Sequence, residues 1–293
     1  MYESFYHLAS LPFENTPDPK FFFASEPHRE ALAAIEYTIR MRKGFVVVTG
    51  GVGTGKTTVG QAMRARCGNK ADIVAVTYGH TRRDGLLRQV LRALKIEHDP
   101  ADDHAVLVER AEQYLLEQIG VDRPVVLFVD EAQTLADEAL EELRLLTNLD
   151  TATSRLIQIV LVGQPELRPR LNAPQHAALR QRIVMAKQIH PLGLEETAAY
   201  IRHRLGAAAL DPESARGTFN AAAIQAVYHS TGGIPRLINI TCDNCLLMGY
   251  VREQRVVTDS TVNKVTLEMM PNFEITEDSA PQSRPALALA GGA

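Results

Sequence analysis

The sequence predicts an α/β fold: a mainly parallel β-sheet covered by helices on both faces, followed by a smaller all-helical domain. Three observations carry that expectation. Short apolar runs near residues 45–49, 72–78, 124–129, 156–163 and 183–189 alternate with stretches of helical period, the pattern of parallel strands joined by crossover helices. The strand signal stops after about residue 192, and segments near 194–206, 220–231, 235–250 and 259–269 read as helices. A length of 293 residues with 45% apolar side chains suffices for one medium domain and a smaller one.

Residues 1–24 carry Phe5, Tyr6, Phe13 and Phe21 to Phe23 among Pro12, Pro17 and Pro19, and are expected to form an irregular arm packed on the body. A disordered arm would not hold so many rings. Residues 25–192 form the expected sheet domain. Ser25, followed by Glu26 and Pro27, reads as a helix start, with Ala31, Ala34, Ile35 and Ile39 at helical spacing behind it. Leu86, Leu87, Val90, Leu91 and Leu94 mark one later helix face, and Leu140, Leu143 and Leu146 another. Residues 193–270 form the expected helical domain, punctuated by Gly232-Gly233 and by Pro235 at a first helical position. Residues 271–293, rich in Pro, Ser, Ala and Gly, are expected to be a disordered tail.

A net charge of −4 and a pI near 6.2 give no global pull toward nucleic acid or anionic membrane. Cys67, Cys242 and Cys245 are too few for a disulfide framework, which suits a reducing compartment, and the cytoplasm is expected. The first twenty residues lack the basic start and apolar segment of a signal peptide. No run of about 18 apolar residues encodes a membrane span. Cys242 and Cys245 fall inside one predicted helix without a second ligand pair, so they read as small buried residues and not as a metal site.

The chemistry concentrates behind the first strand. Gly50-x-x-x-x-Gly55-Lys56-Thr57 matches the phosphate-loop pattern in its strand, loop and helix setting. Across Gly50, Gly51, Val52, Gly53, Thr54, Gly55, Lys56, Thr57 and Thr58, glycines let backbone N–H groups turn toward one anion. The helix N-terminus adds its dipole, Lys56 adds charge, and the Thr57 hydroxyl offers a ligand to Mg2+. Five apolar residues from Val125 deliver Asp130 to a strand end, where its carboxylate suits the Mg2+ shell, and Glu131 beside it suits polarisation of a water. Gln164 ends the next strand, where it either reaches the reacting phosphate and its water or simply forms a turn with Pro165. Arg180 and Arg182, just before the fifth strand, are either surface cations or groups that reach the phosphate of a neighbouring copy. Arg236, on the first turn of a helix in the second domain, either senses nucleotide across the interdomain cleft or makes a surface ion pair.

In this order the chain resembles an AAA+ ATPase, and more closely the ExeA-like general secretion pathway protein A group, related to transposition-helper and origin-recognition-type ATPases. The resemblance rests on the phosphate loop, Asp130-Glu-Ala-Gln, Gly163-Gln-Pro-Glu-Leu, Gln181-Arg-Ile and Ile234-Pro-Arg-Leu-Ile-Asn, with His28-Arg-Glu-Ala-Leu and Phe21-Phe-Phe before them. It implies a P-loop NTPase three-layer sandwich with sheet order 5-1-4-3-2 and a helical lid. It further implies Lys56 and Thr57 on phosphate and Mg2+, Asp130 as the Mg2+ carboxylate and Glu131 as catalytic base. Gln164 would hold the sensor-1 position, Arg182 the arginine finger and Arg236 sensor 2, with the aromatic arm near the adenine.

The expected function is therefore binding and hydrolysis of ATP with Mg2+, driving assembly into a ring or other homo-oligomer, or remodelling of a protein partner in secretion or cell-envelope export. An ATP-dependent DNA-binding regulator or transposition helper is the alternative. It is motivated by the basic Arg64-Ala-Arg66 and Arg202-His-Arg204 stretches, although net charge does not indicate DNA. A nucleotide switch with little turnover is a third reading, opposed by Glu131.

Overall fold

The computed structural model describes residues 1–16, 18–77, 85–151, 155–211 and 217–269; Pro17 of the arm, residue 78 of the second apolar run and the expected tail at 271–293 lie outside them. Five strands, β1 (Phe45–Gly50), β2 (Asp72–Thr77), β3 (Val125–Asp130), β4 (Ile157–Gly163) and β5 (Ile183–Ile189), form one sheet in the order β2-β3-β4-β1-β5. Every neighbouring pair is parallel. The implied order 5-1-4-3-2 is this order read from the other edge.

Helices cover both faces. On one side α1 (Glu26–Arg40) and α2 (Lys56–Cys67) bury Leu32, Ile35, Val59 and Met63 against Val46, Val48, Val160 and Val162. On the other, α3 (Gly85–Ala93), α4 (His104–Gly120) and α5 (Asp137–Leu146) bury Leu86, Leu91, Leu107 and Leu140 against Val47, Leu127 and Leu161. Every residue of β1 and β4 is buried, which is why both are mostly apolar instead of alternating, with the polar Gln158 of β4 satisfied by the Gly44 N–H and the Arg155 carbonyl. Two short helices, α6 (Leu167–Asn172) and α7 (Ala177–Arg180), link β4 to β5.

Four further helices, α8 (Leu194–Ala208), α9 (Ala221–Thr231), α10 (Pro235–Val251) and α11 (Asp259–Met269), share a separate core with the N-terminal arm. Tyr2, Tyr6, Leu8 and Phe13 of the arm are buried in that core, and the Tyr6 hydroxyl donates to the Gln254 carbonyl at 2.9 Å. Cys242 and Cys245 are buried free thiols of α10, and burial pushes Cys245 up to about 12, as expected of packing residues.

Arg204 departs from the expected basic stretch. It is buried, not solvated: Nε donates to the Pro12 carbonyl at 2.6 Å, Nη2 to the Glu14 carbonyl at 3.0 Å and Nη1 to the Tyr200 hydroxyl at 2.9 Å. Its guanidinium also lies over the Phe21 ring, 4.9 Å from the centroid. Three donors fixed on arm and lid take Arg204 out of the solvated basic stretch, leaving Arg202 as its exposed cation.

Candidate nucleotide site

The loop between β1 and α2 takes its shape from its glycines. Gly53 and Gly55 sit at φ +76° and +99°, a region that L side chains rarely enter. A Cβ on Gly53 would stand 2.8 Å from Arg236 Cβ, and one on Gly55 would stand 2.6 Å from His28 Nε2. The loop is thus pressed between the lid on one side and α1 on the other. His28 Nε2 lies 3.0 Å from the Thr54 carbonyl and Nδ1 lies 2.6 Å from Ser25 Oγ. A carbonyl only accepts, so Nε2 carries the proton and neutral Nδ1 accepts from the Ser25 hydroxyl. Burial holds His28 below its ordinary value, favouring this neutral form. Ser25 precedes α1 as the sequence predicted, but its hydroxyl binds this ring and caps no backbone N–H.

Lys56 begins α2 and is buried, with Nζ 2.9 Å from the carbonyls of both Gly50 and Gly51. Burial lowers its pKa, opposed by Glu131, Asp130 and Glu166. One ammonium therefore faces three carboxylates, and a divalent cation suits that excess of negative charge. The Asp130 carboxylate accepts the Glu131 N–H at 2.9 Å and makes no other hydrogen bond among the described residues, leaving oxygen lone pairs for a metal. With Thr57 exposed on the first turn of α2, the residues present fit Mg2+ and a polyphosphate.

Because β4 runs between β1 and β3, Gln164 sits between the phosphate loop and Asp130-Glu131. Gln164 Nε2 lies 3.4 Å from Glu131 Oε2, and the Gln164 carbonyl accepts the Leu167 N–H, so the residue makes a turn and also faces the acid. Glu131 adopts φ +51° and ψ +37°, a left-handed conformation costing about 1–2 kcal/mol outside glycine. Its carbonyl accepts from Thr134 N and Oγ1, at 2.9 and 2.8 Å, which holds the turn.

A cavity of about 430 Å3 opens over these groups, within the range of cofactor sites. Lys56, Thr57, Glu131 and Gln164 form its floor, Phe21 to Phe23 of the arm one wall, and Arg236 and Asn239 of α10 another. The first turn of α10 is held there by a bond from Arg236 N–H to the Gly53 carbonyl at 3.2 Å.

Arg182 is not brought into this cavity. It stands at the start of β5, beside Phe45, whereas Ile189 at the other end pairs with Gly50. The seven residues of β5 place it about 20 Å or more from the loop. Its Nη1 donates to the Thr147 carbonyl at 3.1 Å and its Nη2 to Asn148 Oδ1 at 2.6 Å. Arg180 donates to the Asn172 carbonyl at 3.0 Å on the same edge. Sequence reasoning assigned no role to His28 or Gln133, and read Arg204 only as part of a basic stretch. For Gln133 the only written signal is its place in Asp130-Glu-Ala-Gln.

Residues 39–171 match a family described as the AAA domain. Over those residues the chain is similar to an AAA domain. The chain is also 34% identical over 291 residues to general secretion pathway protein A of Aeromonas hydrophila, covering 99% of this chain and 52% of that protein, so it spans about half of its relative. Among solved structures, Cdc6p of Pyrobaculum aerophilum aligns over 91% of this chain and 72% of its own, at 15% identity and a TM-score of 0.66. An ORC2 protein of Aeropyrum pernix, described as ADPNP and ADP complexes, aligns over 88% of this chain and 71% of its own, at 13% identity and a TM-score of 0.62. At such identities the likeness is one of fold: a parallel sheet with helical layers and a helical C-terminal part. Among the described residues, no helix is long and apolar enough to cross a membrane.

Proposed function

We propose that this chain is a cytoplasmic ATPase that binds and hydrolyses ATP with Mg2+ in the cavity between phosphate loop, arm and lid. The cycle would drive assembly of a homo-oligomer or remodelling of a protein partner in secretion or envelope export. One observation carries the catalytic part: Glu131 is held in a strained turn at the end of β3, with its carboxylate facing the amide groups of Gln133 and Gln164.

In this reading the backbone N–H groups from Gly51 to Lys56 and the Lys56 ammonium bind the phosphates. Thr57 and Asp130 would hold the metal, which would supply positive charge beside the phosphates. Glu131 takes the proton of the attacking water, a role worth about 10²–10⁴ in rate. Gln164 orients that water, Phe21 to Phe23 wall off the base, and Arg236 reports nucleotide to the lid. Arg182 serves the site of an adjacent copy. The secretion assignment leans on the 34% identity to general secretion pathway protein A.

Purified protein should release phosphate from ATP only with Mg2+. Glu131→Gln should keep nucleotide affinity and lose turnover, whereas Lys56→Ala should lose both. Unchanged hydrolysis in Glu131→Gln would sink the reading.

A further inference from the structure

We propose that Gln133 is a positioning residue for Glu131, holding its carboxylate by one oxygen so that the other is free to take a proton from water. This deepens the reading of Glu131 as the base, and rests on it. Gln133 Nε2 donates to Glu131 Oε2 at 2.5 Å, and Gln164 Nε2 approaches the same oxygen at 3.4 Å. The orientation of the Gln133 amide follows from its partners. Its Oε1 lies 2.8 Å from the backbone N–H of Gln164, which only donates, while the carboxylate only accepts. One amide therefore ties the end of β4 to the end of β3 and leaves Glu131 Oε1 without a hydrogen bond among the described residues.

The surroundings are built to hold this amide. A Cβ on Gly163 would stand 2.9 Å from Gln133 Oε1 and 3.2 Å from its backbone nitrogen, so the glycine ending β4 makes room for the contact. The Gln133 carbonyl accepts from Arg170 Nη1 at 2.7 Å, and Arg170 Nη2 donates to Asp137 at 2.7 Å. The turn carrying Gln133 is thereby pinned to both α6 and α5. Glu131 itself is exposed, so without the amide its side chain would sample several rotamers above the loop. A misplacement of about 1 Å at a reacting group costs about a hundredfold in rate.

Two substitutions separate positioning from structural support. Gln133→Met keeps the length and removes both polar functions. Gln133→Glu keeps the acceptor for the Gln164 N–H but replaces the donor to Glu131 with a like charge. Steady-state ATP turnover, fluorescent-nucleotide binding and thermal melting are measured for each. The expected result is a kcat lowered about 10–100-fold in both variants, with KM, nucleotide affinity and melting close to wild type. Glu131→Gln combined with Gln133→Met should be no slower than Glu131→Gln alone, because both act through one carboxylate. Full turnover in Gln133→Glu would show that only the bond to Gln164 matters, and a raised kcat would show that the amide restrains the base; either overturns the proposal. Normal turnover in Glu131→Gln would instead overturn the reading of Glu131 itself.

Discussion

The backbone N–H of Arg236 donates to the carbonyl of Gly53 at 3.2 Å, joining the first turn of α10 to the middle of the phosphate loop. The lid is thus attached to the loop through main chain, and the Arg236 side chain remains exposed at the cavity edge.

Gly53 and Arg236 should therefore fail in different ways. Gly53→Ala places a Cβ 2.8 Å from Arg236 Cβ in a residue at φ +76°, so loop and lid must separate. Nucleotide affinity should fall by about tenfold or more, equivalent to about 1.4 kcal/mol. Arg236→Ala leaves the main-chain bond in place, so melting should be unchanged while turnover falls. Fluorescent-nucleotide titration and melting curves on both variants check this; loss of melting temperature in Arg236→Ala would assign it to simple packing.

The buried imidazole of His28 makes stability depend on pH. Its folded-state pKa is depressed by burial, so the unfolded chain binds the proton more readily. The neutral ring's contribution is complete above the unfolded value of about 6.5 and declines as pH falls below it. His203 is shifted the same way, by burial and by Arg204, so the His28 part must be isolated by difference. His28→Gln should melt lower than wild type at pH 7.5, and the gap should narrow at pH 5.5. A gap independent of pH would sink this assignment.

The parallel strands and helices were legible because burial on both faces leaves a direct mark. Phe45-Val-Val-Val and Ile159 to Val162 are apolar blocks that suit a sheet covered on both faces. The phosphate loop was legible because its geometry is local, from strand end to helix start. His28 and Arg204 were not legible, because their work is done on partners distant in the chain, and Gln133 was not, because its bond to the nearby Glu131 depends on a turn whose amide is fixed by Gln164, 31 residues on. His28 meets Thr54 26 residues away and Arg204 meets Pro12 192 residues away, and no period in the sequence marks either. Arg204 also misled, since a cation beside His203 and Arg202 reads as solvated until the arm is seen to fold over it.

Gly233 joins the two domains by close approach. Its Cβ would fall 1.9 Å from the Leu192 carbonyl, and its own carbonyl accepts the Leu192 N–H at 2.9 Å. Its φ of +72° adds the left-handed strain that any other residue meets. Gly233→Ala should lower stability by more than about 2 kcal/mol, or melting by about 5 °C. Gly232→Ala, where a Cβ meets nothing within 4 Å, should lose only the backbone component. Equal losses in the two variants would show that strain, not the Leu192 contact, decides.

Arg182 supplies the test of assembly. With the seven residues of β5 between it and its own loop, it has no route to its own cavity, and its guanidinium is tied to Thr147 and Asn148. If it serves a neighbour, wild-type turnover per chain should rise with protein concentration. Arg182→Ala should lose about a thousandfold while still binding nucleotide. Mixing should then be informative. Arg182→Ala has an intact pocket and no cation to offer, whereas Lys56→Ala has the cation and a disabled pocket, so an equal mixture should recover activity that neither shows alone. Recovery with Arg180→Ala in place of Arg182→Ala would move the role to Arg180. Full, concentration-independent turnover by Arg182→Ala would reduce Arg182 to a tie between β5 and the end of α5.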